Sequence, residues 1–150
     1  MYPDARVAEF VGTHFVPVRV HVKEQPEQFQ ALGARFNAQW TPTALIIDRT
    51  GAERHRIEGF LPTPEFLAQL KLGLARSKFS RGLFTEAERQ FSSVVDEHAD
   101  TDAAPEALYW AGVSRYKALN DPTALRDTAE AFRTRYSDTS WAKKASVWTH

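Results

Sequence analysis

Residues 39–48 read QWTPTALIID, and no other stretch constrains the fold as tightly. Proline has no backbone N–H, so Pro42 belongs at the mouth of a strand rather than inside one. TALII, residues 43–47, is apolar without alternation from Ala44 onward. A short apolar strand of this kind predicts cover on both faces, as in a mixed or parallel sheet flanked by helices. DRTG, residues 48–51, supplies a turn in which Gly51 takes a positive φ. AERHRIEG then returns as a polar strand, whose charges suit a sheet edge because they discourage stray pairing.

The flanking segments extend this pattern. Residues 3–13, PDARVAEFVGT, place Val7, Phe10 and Val11 on one helical face. In FVPVRVHV, residues 15–22, Val16, Val18, Val20 and Val22 alternate with Pro17, Arg19 and His21. Period two with β-branched residues predicts a strand with one buried face, its start held at or near an edge by Pro17. PEQFQALGARF, residues 26–36, is helical, with Pro26 in the first turn and a Phe29, Leu32, Phe36 stripe. The expected first domain is α/β: three strands in a mixed sheet with flanking helices. After LPTP the pattern turns helical. Thr63 caps a helix whose inner face is Phe66, Leu67, Leu70 and Leu74. Amphipathic segments follow at roughly 83–98, 104–119, 122–136 and 140–148. The composition shift near RSKFSRG, residues 76–82, sets the expected domains at 1–78 and 79–150.

The helical tail carries a weak internal repeat. Ala87, Phe91 and Val95 correspond to Thr128, Phe132 and Tyr136, and Ala107 to Trp110 corresponds to Ala145 to Trp148, each about 40 residues apart. Small residues let helices approach, and aromatics fill the space between them. The pattern resembles roughly two tetratricopeptide repeats, with a spacing longer than the usual ~34 residues. That is fewer than such arrays need, so support from the sheet domain or a partner is expected.

Over residues 2 to about 75, the order helix, strand, helix, apolar strand, hairpin, polar strand, helix resembles the C-terminal two-thirds of a thioredoxin fold. The resemblance rests on FVPVRVHV, on FNAQWTPTALIIDRTGAE and on the helix from Pro64. It implies a cis bond before Pro42, a geometry that only X–Pro bonds adopt at small cost. It also implies a backbone at Thr41 turned outward, where an extended peptide adds as a strand. Read without the resemblance, Pro42 also fits the start of a strand in trans, and the full pattern favours cis. In the family, a central strand ending in Cys-x-x-Cys precedes the helix in which Met1 falls here. YPDARVAEFVGTHFVPV resembles the stretch shortly after that cysteine pair. The implied missing strand lies between FVPVRVHV and TALII. Three outcomes are open: direct pairing of the remaining strands, completion by a second copy, or an origin as part of a longer protein.

The totals exclude several functions. Lys+Arg and Asp+Glu balance at 19 each, which leaves no net field to hold nucleic acid or an anionic membrane. No apolar run has the length of a membrane span, and the N-terminus lacks a basic-then-apolar leader pattern, so the expected location is cytoplasmic. With 0 cysteines there is no disulfide, thiolate ligand or thiol nucleophile. No phosphate loop, dinucleotide fingerprint or G-x-S-x-G elbow occurs, so no catalytic residue and no cofactor are assigned. His21 and His55 lie near Glu53 and Glu58 in sequence but lack metal-ligand spacing, and read as solvent-facing strand residues. Arg49, Arg54 and Arg56 read as edge-strand charges.

The expected function is non-catalytic binding of a peptide or protein by a thioredoxin-like and tetratricopeptide-like chain. The candidate residues are Trp40, Thr41 and Pro42 at the corner, and Tyr109, Trp110, Trp141 and Trp148 in a helical groove. For Trp40, exposure at the corner and packing under the loop are equally open; for at least two of Trp110, Trp141 and Trp148, core filling is favoured over groove lining, because large aromatics dominate core energetics. Two alternatives stand beside this reading. One is the C-terminal part of a thiol–disulfide oxidoreductase whose Cys-x-x-Cys lies upstream of Met1. The other is an adaptor that homodimerises through the open sheet.

Overall fold

A computed structural model describes residues 4–150. The chain divides into two compact units, Met1–Thr63 and Pro64–His150. The compositional border at 78/79 falls near the end of a helix, Thr63–Ser80, that lies almost wholly in the second unit.

In the first unit, Asp4 caps helix α1 (Ala5–His14) by accepting a 2.8 Å hydrogen bond from the Arg6 N–H. Helix α2 (Pro26–Phe36) starts on proline and stops at Asn37, whose φ of 51° is left-handed. Strand β1 (Thr43–Ile47) pairs antiparallel with β2 (Glu53–Glu58). The register sets Ala44 opposite Ile57 and Ile46 opposite His55, with an irregularity between Ile46 and Ile47. The turn is held by Asp48, whose carboxylate accepts from the Thr50 and Ala52 amides at 2.8 and 3.2 Å, while Gly51 takes φ 85°. The Thr41–Pro42 bond is cis.

Three expectations for this unit need correction. The sheet has two strands among the described residues, not three. FVPVRVHV forms no ladder, and Val16 and Val18 are 92% and 83% exposed. Period two gives a segment its two faces, but a strand also needs a neighbouring strand, and among the described residues no ladder forms here. TALII is not covered on both faces: Ile46 is buried, while Ile47 is 42% exposed. His55, expected to face solvent, is buried beside Ile46 and Ile57, because the register puts it on their face.

The second unit is helical: α3 (Thr63–Ser80), α4 (Phe84–Glu97), α5 (Ala103–Leu119), α6 (Thr123–Thr134), α7 (Ser140–Ala145) and a closing 3-10 turn (Ser146–Thr149). Neighbours in sequence pack on each other: α4 on α5, α5 on α6, and α6 on α7 with the closing turn. Gly82 (φ 75°) makes the bend between α3 and α4, a conformation that favours glycine. The core joins Ala68, Leu72 and Ala75 of α3 to Ala87, Phe91, Val94 and Val95 of α4 and Ala103, Ala107 and Ala111 of α5. Leu74, expected on the inner face of α3, is only half-buried, and Leu72 points inward in its stead.

Some of the positions matched by the sequence repeat share their burial, whereas Val95 is buried where Tyr136 is half-buried, and Val147 is exposed where Tyr109 is half-buried. Ala87 and Phe91 are both fully buried, and Thr128 and Phe132 are 7% and 2% exposed. Ala107 and Ala145 are fully buried, while Trp110 and Trp148 are half-buried. Small residues bring the helices close. A Cβ added at Gly112 would sit 2.0 Å from Thr128 Oγ1, so α5 and α6 touch where no larger side chain fits. Buried hydroxyls are satisfied within their own helices: Ser114 donates to the Trp110 carbonyl and Thr128 to that of Ala124, both at 2.7 Å.

Phe91 is the largest fully buried side chain. Phe91→Ala is expected to cost about 3–5 kcal/mol through lost burial and a residual cavity. Denaturant melts of the two proteins measure this, and a change below about 1 kcal/mol contradicts the placement of Phe91 in the core.

Candidate functional site

The corner ahead of β1 is exposed. Trp40 is 68% accessible, and Thr41 and Pro42 are also on the surface. This resolves the position of Trp40 in favour of the open side of the loop. Two hydrogen bonds fix the backbone there. The Thr43 hydroxyl donates to the Trp40 carbonyl at 2.6 Å, and the Gly59 N–H donates to the Pro42 carbonyl at 2.8 Å, extending the hairpin ladder past the end of β1. The chain reaching the corner is anchored by Arg56. Its guanidinium donates to the carbonyls of Phe36 and Asn37 at the C-terminus of α2, and pairs with Glu53 and Glu58. A cation at a helix C-terminus satisfies the carbonyls that the helix leaves open. Arg56 is thereby a structural clamp between α2 and β2 rather than a plain edge charge.

Electrostatics stiffen the hairpin further. Hydrogen bonds from the Thr50 hydroxyl, and next from the Arg54 guanidinium, hold the Asp48 carboxyl well below the ordinary carboxylate range. On its second side β1 carries no strand among the described residues.

In the second unit the structure brings the four predicted aromatic residues together. Tyr109 is the hub: its ring stacks on Trp148 at 4.7 Å and lies 5.3 Å from Trp141 and 5.4 Å from Trp110. All four are half-buried, so they serve the packing and also line the surface. Two further rings prolong the cluster. Phe79 meets Trp110 edge-on at 5.2 Å and Phe84 at the same distance. Sequence patterning missed both, because Phe79 lies in the stretch read as a border and its contact is not local. Lys144 was also missed. Its ammonium stands 3.9 Å over the Trp141 ring, a contact that i,i+3 spacing on α7 would have signalled.

Charge is sparse in this cluster and centred on Glu106, which pairs with Arg76 at 3.0 Å. Burial pushes the Glu106 carboxyl above the ordinary glutamate value, outweighing the opposing pull of Arg76 and Lys144. Among the described residues no group of three His, Asp or Glu side chains is placed to hold a metal, and no helix is long and apolar enough to cross a membrane.

Residues 2–73 match the family model of a thioredoxin-like domain. The match covers α1, α2, the β1–β2 hairpin and the first part of α3. Searches of curated proteins and of solved structures gave no match. The thioredoxin-like domain thus contains the Trp40–Pro42 corner, and the aromatic cluster lies beyond it.

Glu106 has a testable titration. Its folded value is raised, so stability falls as pH rises through the ordinary glutamate range to the Glu106 midpoint, then levels off. The stability of the wild type relative to Glu106→Gln is expected to decline over that window. A difference that stays flat, or that grows with pH, contradicts the burial of this carboxyl.

Proposed function

We propose that this chain is a non-catalytic thioredoxin-like and tetratricopeptide-like protein that binds extended peptide or protein segments. The observation that carries this reading is the open edge of β1 beside the exposed indole of Trp40. An extended peptide adding there gains main-chain hydrogen bonds from the strand, and an apolar side chain two residues along rests on the indole. The Tyr109, Trp110, Trp141, Trp148 cluster offers a second, aromatic surface, suited to a partner that buries apolar side chains. Thiol–disulfide exchange needs a thiolate, and the sequence has 0 cysteines. A cytoplasmic setting and protein partners, rather than nucleic acid or membrane, belong to the same reading. The test is titration of an extended apolar peptide followed by tryptophan fluorescence. Trp40→Ala is expected to weaken binding about tenfold, the cost of losing an interface tryptophan, without lowering thermal stability. Equal affinity for both proteins removes the corner from the proposal.

One observation favours a second reading. Among the described residues of the first unit, Val7, Ile46, His55 and Ile57 are the buried side chains, whereas Val16, Val18, Leu32, Trp40 and Phe60 are exposed. So small a core does not sustain a free domain of this size. On this reading the chain is the C-terminal part of a thiol–disulfide oxidoreductase with a role in redox homeostasis. A strand ending in Cys-x-x-Cys, encoded upstream of Met1, would complete the sheet and the chemistry. An in-frame strand and Cys-x-x-Cys in the upstream codons supports it, and a stop codon directly before Met1 refutes it.

A further inference from the structure

The aromatic residues of the second unit form a row. From Phe84 it runs to Phe79 and on to Trp110, each step 5.2 Å between ring centres. It continues to Tyr109 at 5.4 Å and to Trp141 at 5.3 Å, with Trp148 stacked beside Tyr109. All six rings are half-buried, so each keeps part of its surface in solvent. Both ends carry a cation. The Lys117 ammonium stands over Phe84 at 5.6 Å, and the Lys144 ammonium over Trp141 at 3.9 Å. Both lysines are exposed, and neither forms an ion pair among the described residues. A carboxylate, Glu106, lies beside Trp110, and Arg76 already pairs with it at 3.0 Å. Lys78 and Glu86, close to Phe79 and Phe84 in sequence, pair with each other at 3.3 Å and cancel. The row is thus apolar in its middle and positive at both ends, on a chain whose acidic and basic residues balance. A ring that holds an ammonium in place spares part of the ordering cost that a free lysine meets when it binds an anion.

We infer that this row docks an acidic and apolar protein segment, whose leucine- or phenylalanine-like side chains lie on the rings and whose carboxylates, at its two ends, meet Lys117 and Lys144. The inference rests on the aromatic surface of the proposed function and names the chemistry of its partner. Four steps of 5.2–5.4 Å make the row at most about 21 Å long, which about six residues of extended chain span at ~3.3 Å each. Large rings supply most of the energy of such an interface, whereas charges at its rim choose the partner. A basic segment is refused, because it sets like charges together at both ends. Single-stranded nucleic acid also stacks on aromatic rings, but it needs cations all along its backbone. Here the unpaired cations stand at the ends, and the middle holds Glu106.

Fluorescence anisotropy of labelled, end-blocked peptides tests this on the full chain. The acidic probe has about eight residues, leucine and phenylalanine in the middle and glutamate at both ends; the control carries lysine in place of glutamate. The protein is expected to bind the acidic probe about tenfold more tightly than the control, and Lys117→Glu combined with Lys144→Glu to reverse that preference. Both positions are exposed, so helical circular dichroism should stay unchanged. If the helical signal falls, Lys117→Gln with Lys144→Gln takes the place of the reversal, and the preference is expected to vanish. No binding of the acidic probe, equal affinity for the two probes, or an acidic preference that survives the lysine substitutions overturns the inference. An oligothymidylate that binds as tightly as the acidic probe, and is lost with the lysines, makes the row a nucleic-acid surface and overturns it as well. Trp40→Ala separates this surface from the corner. Acidic-probe binding that is lost with Trp40→Ala but kept without the lysine charges sinks the row alone. Lysine-dependent binding, with no Trp40-dependent binding of an uncharged apolar peptide, sinks the corner alone.

Discussion

Every backbone N–H and C=O in a strand needs a partner on the side it faces, and among the described residues β1 has a strand partner on one side only. Much of the first unit follows from this. The hairpin with β2 is well determined: the Asp48 turn, the Gly59 to Pro42 hydrogen bond and the Arg56 clamp onto α2 fix its length, register and flank. Beyond β1 no strand continues the layer among the described residues. The valines of residues 16–22 therefore have no sheet face to pack against, and α2 buries none of its residues completely. The corner at Trp40 owes its openness to the same condition. A covered β1 would have neighbours on both sides, and an indole beside it would have something to pack on.

The helical unit meets the burial requirement in another way. A helix satisfies its backbone internally, so an array of helices needs only matched side-chain faces, and here these recur. Alanines and Gly112 let α4, α5 and α6 approach closely, Phe91 and Phe132 fill equivalent interior positions, and Trp110 and Trp148 lie at the half-buried margin in both halves of the repeat. The aromatic surface around Tyr109 is a by-product of that packing. Rings too large to be enclosed by alanine-rich helices remain partly exposed, and they meet one another there. A core-filling motif and a candidate binding surface are thus the same residues seen from two sides.

Local signals were read well from the sequence. α2 was expected at 26–36 and spans those residues, and the helices of the tail fall within a few residues of their expected positions. Caps, first-turn prolines and apolar spacing act over one or two turns, so they survive whatever surrounds them. The resemblance to thioredoxin, carried by FNAQWTPTALIIDRTGAE, anticipated the match over residues 2–73. What depended on remote partners was not legible. FVPVRVHV has the composition of a strand, but a ladder is a property of two segments. The burial of His55 follows from the β1–β2 register, and the contact of Phe79 with Trp110 from the docking of helices distant in sequence.

The amino-acid sequence by itself determined the helices and their order, the turn at Asp48 and Gly51, and the lack of any thiol, because each is set by residue type and near neighbours. Only the tertiary structure decided which edge of the hairpin is bare, that Trp40 stands in the open, and that Tyr109, Trp110, Trp141 and Trp148 converge. Exposure and convergence are sums over contacts between distant segments, and they take a value only once the chain has closed on itself.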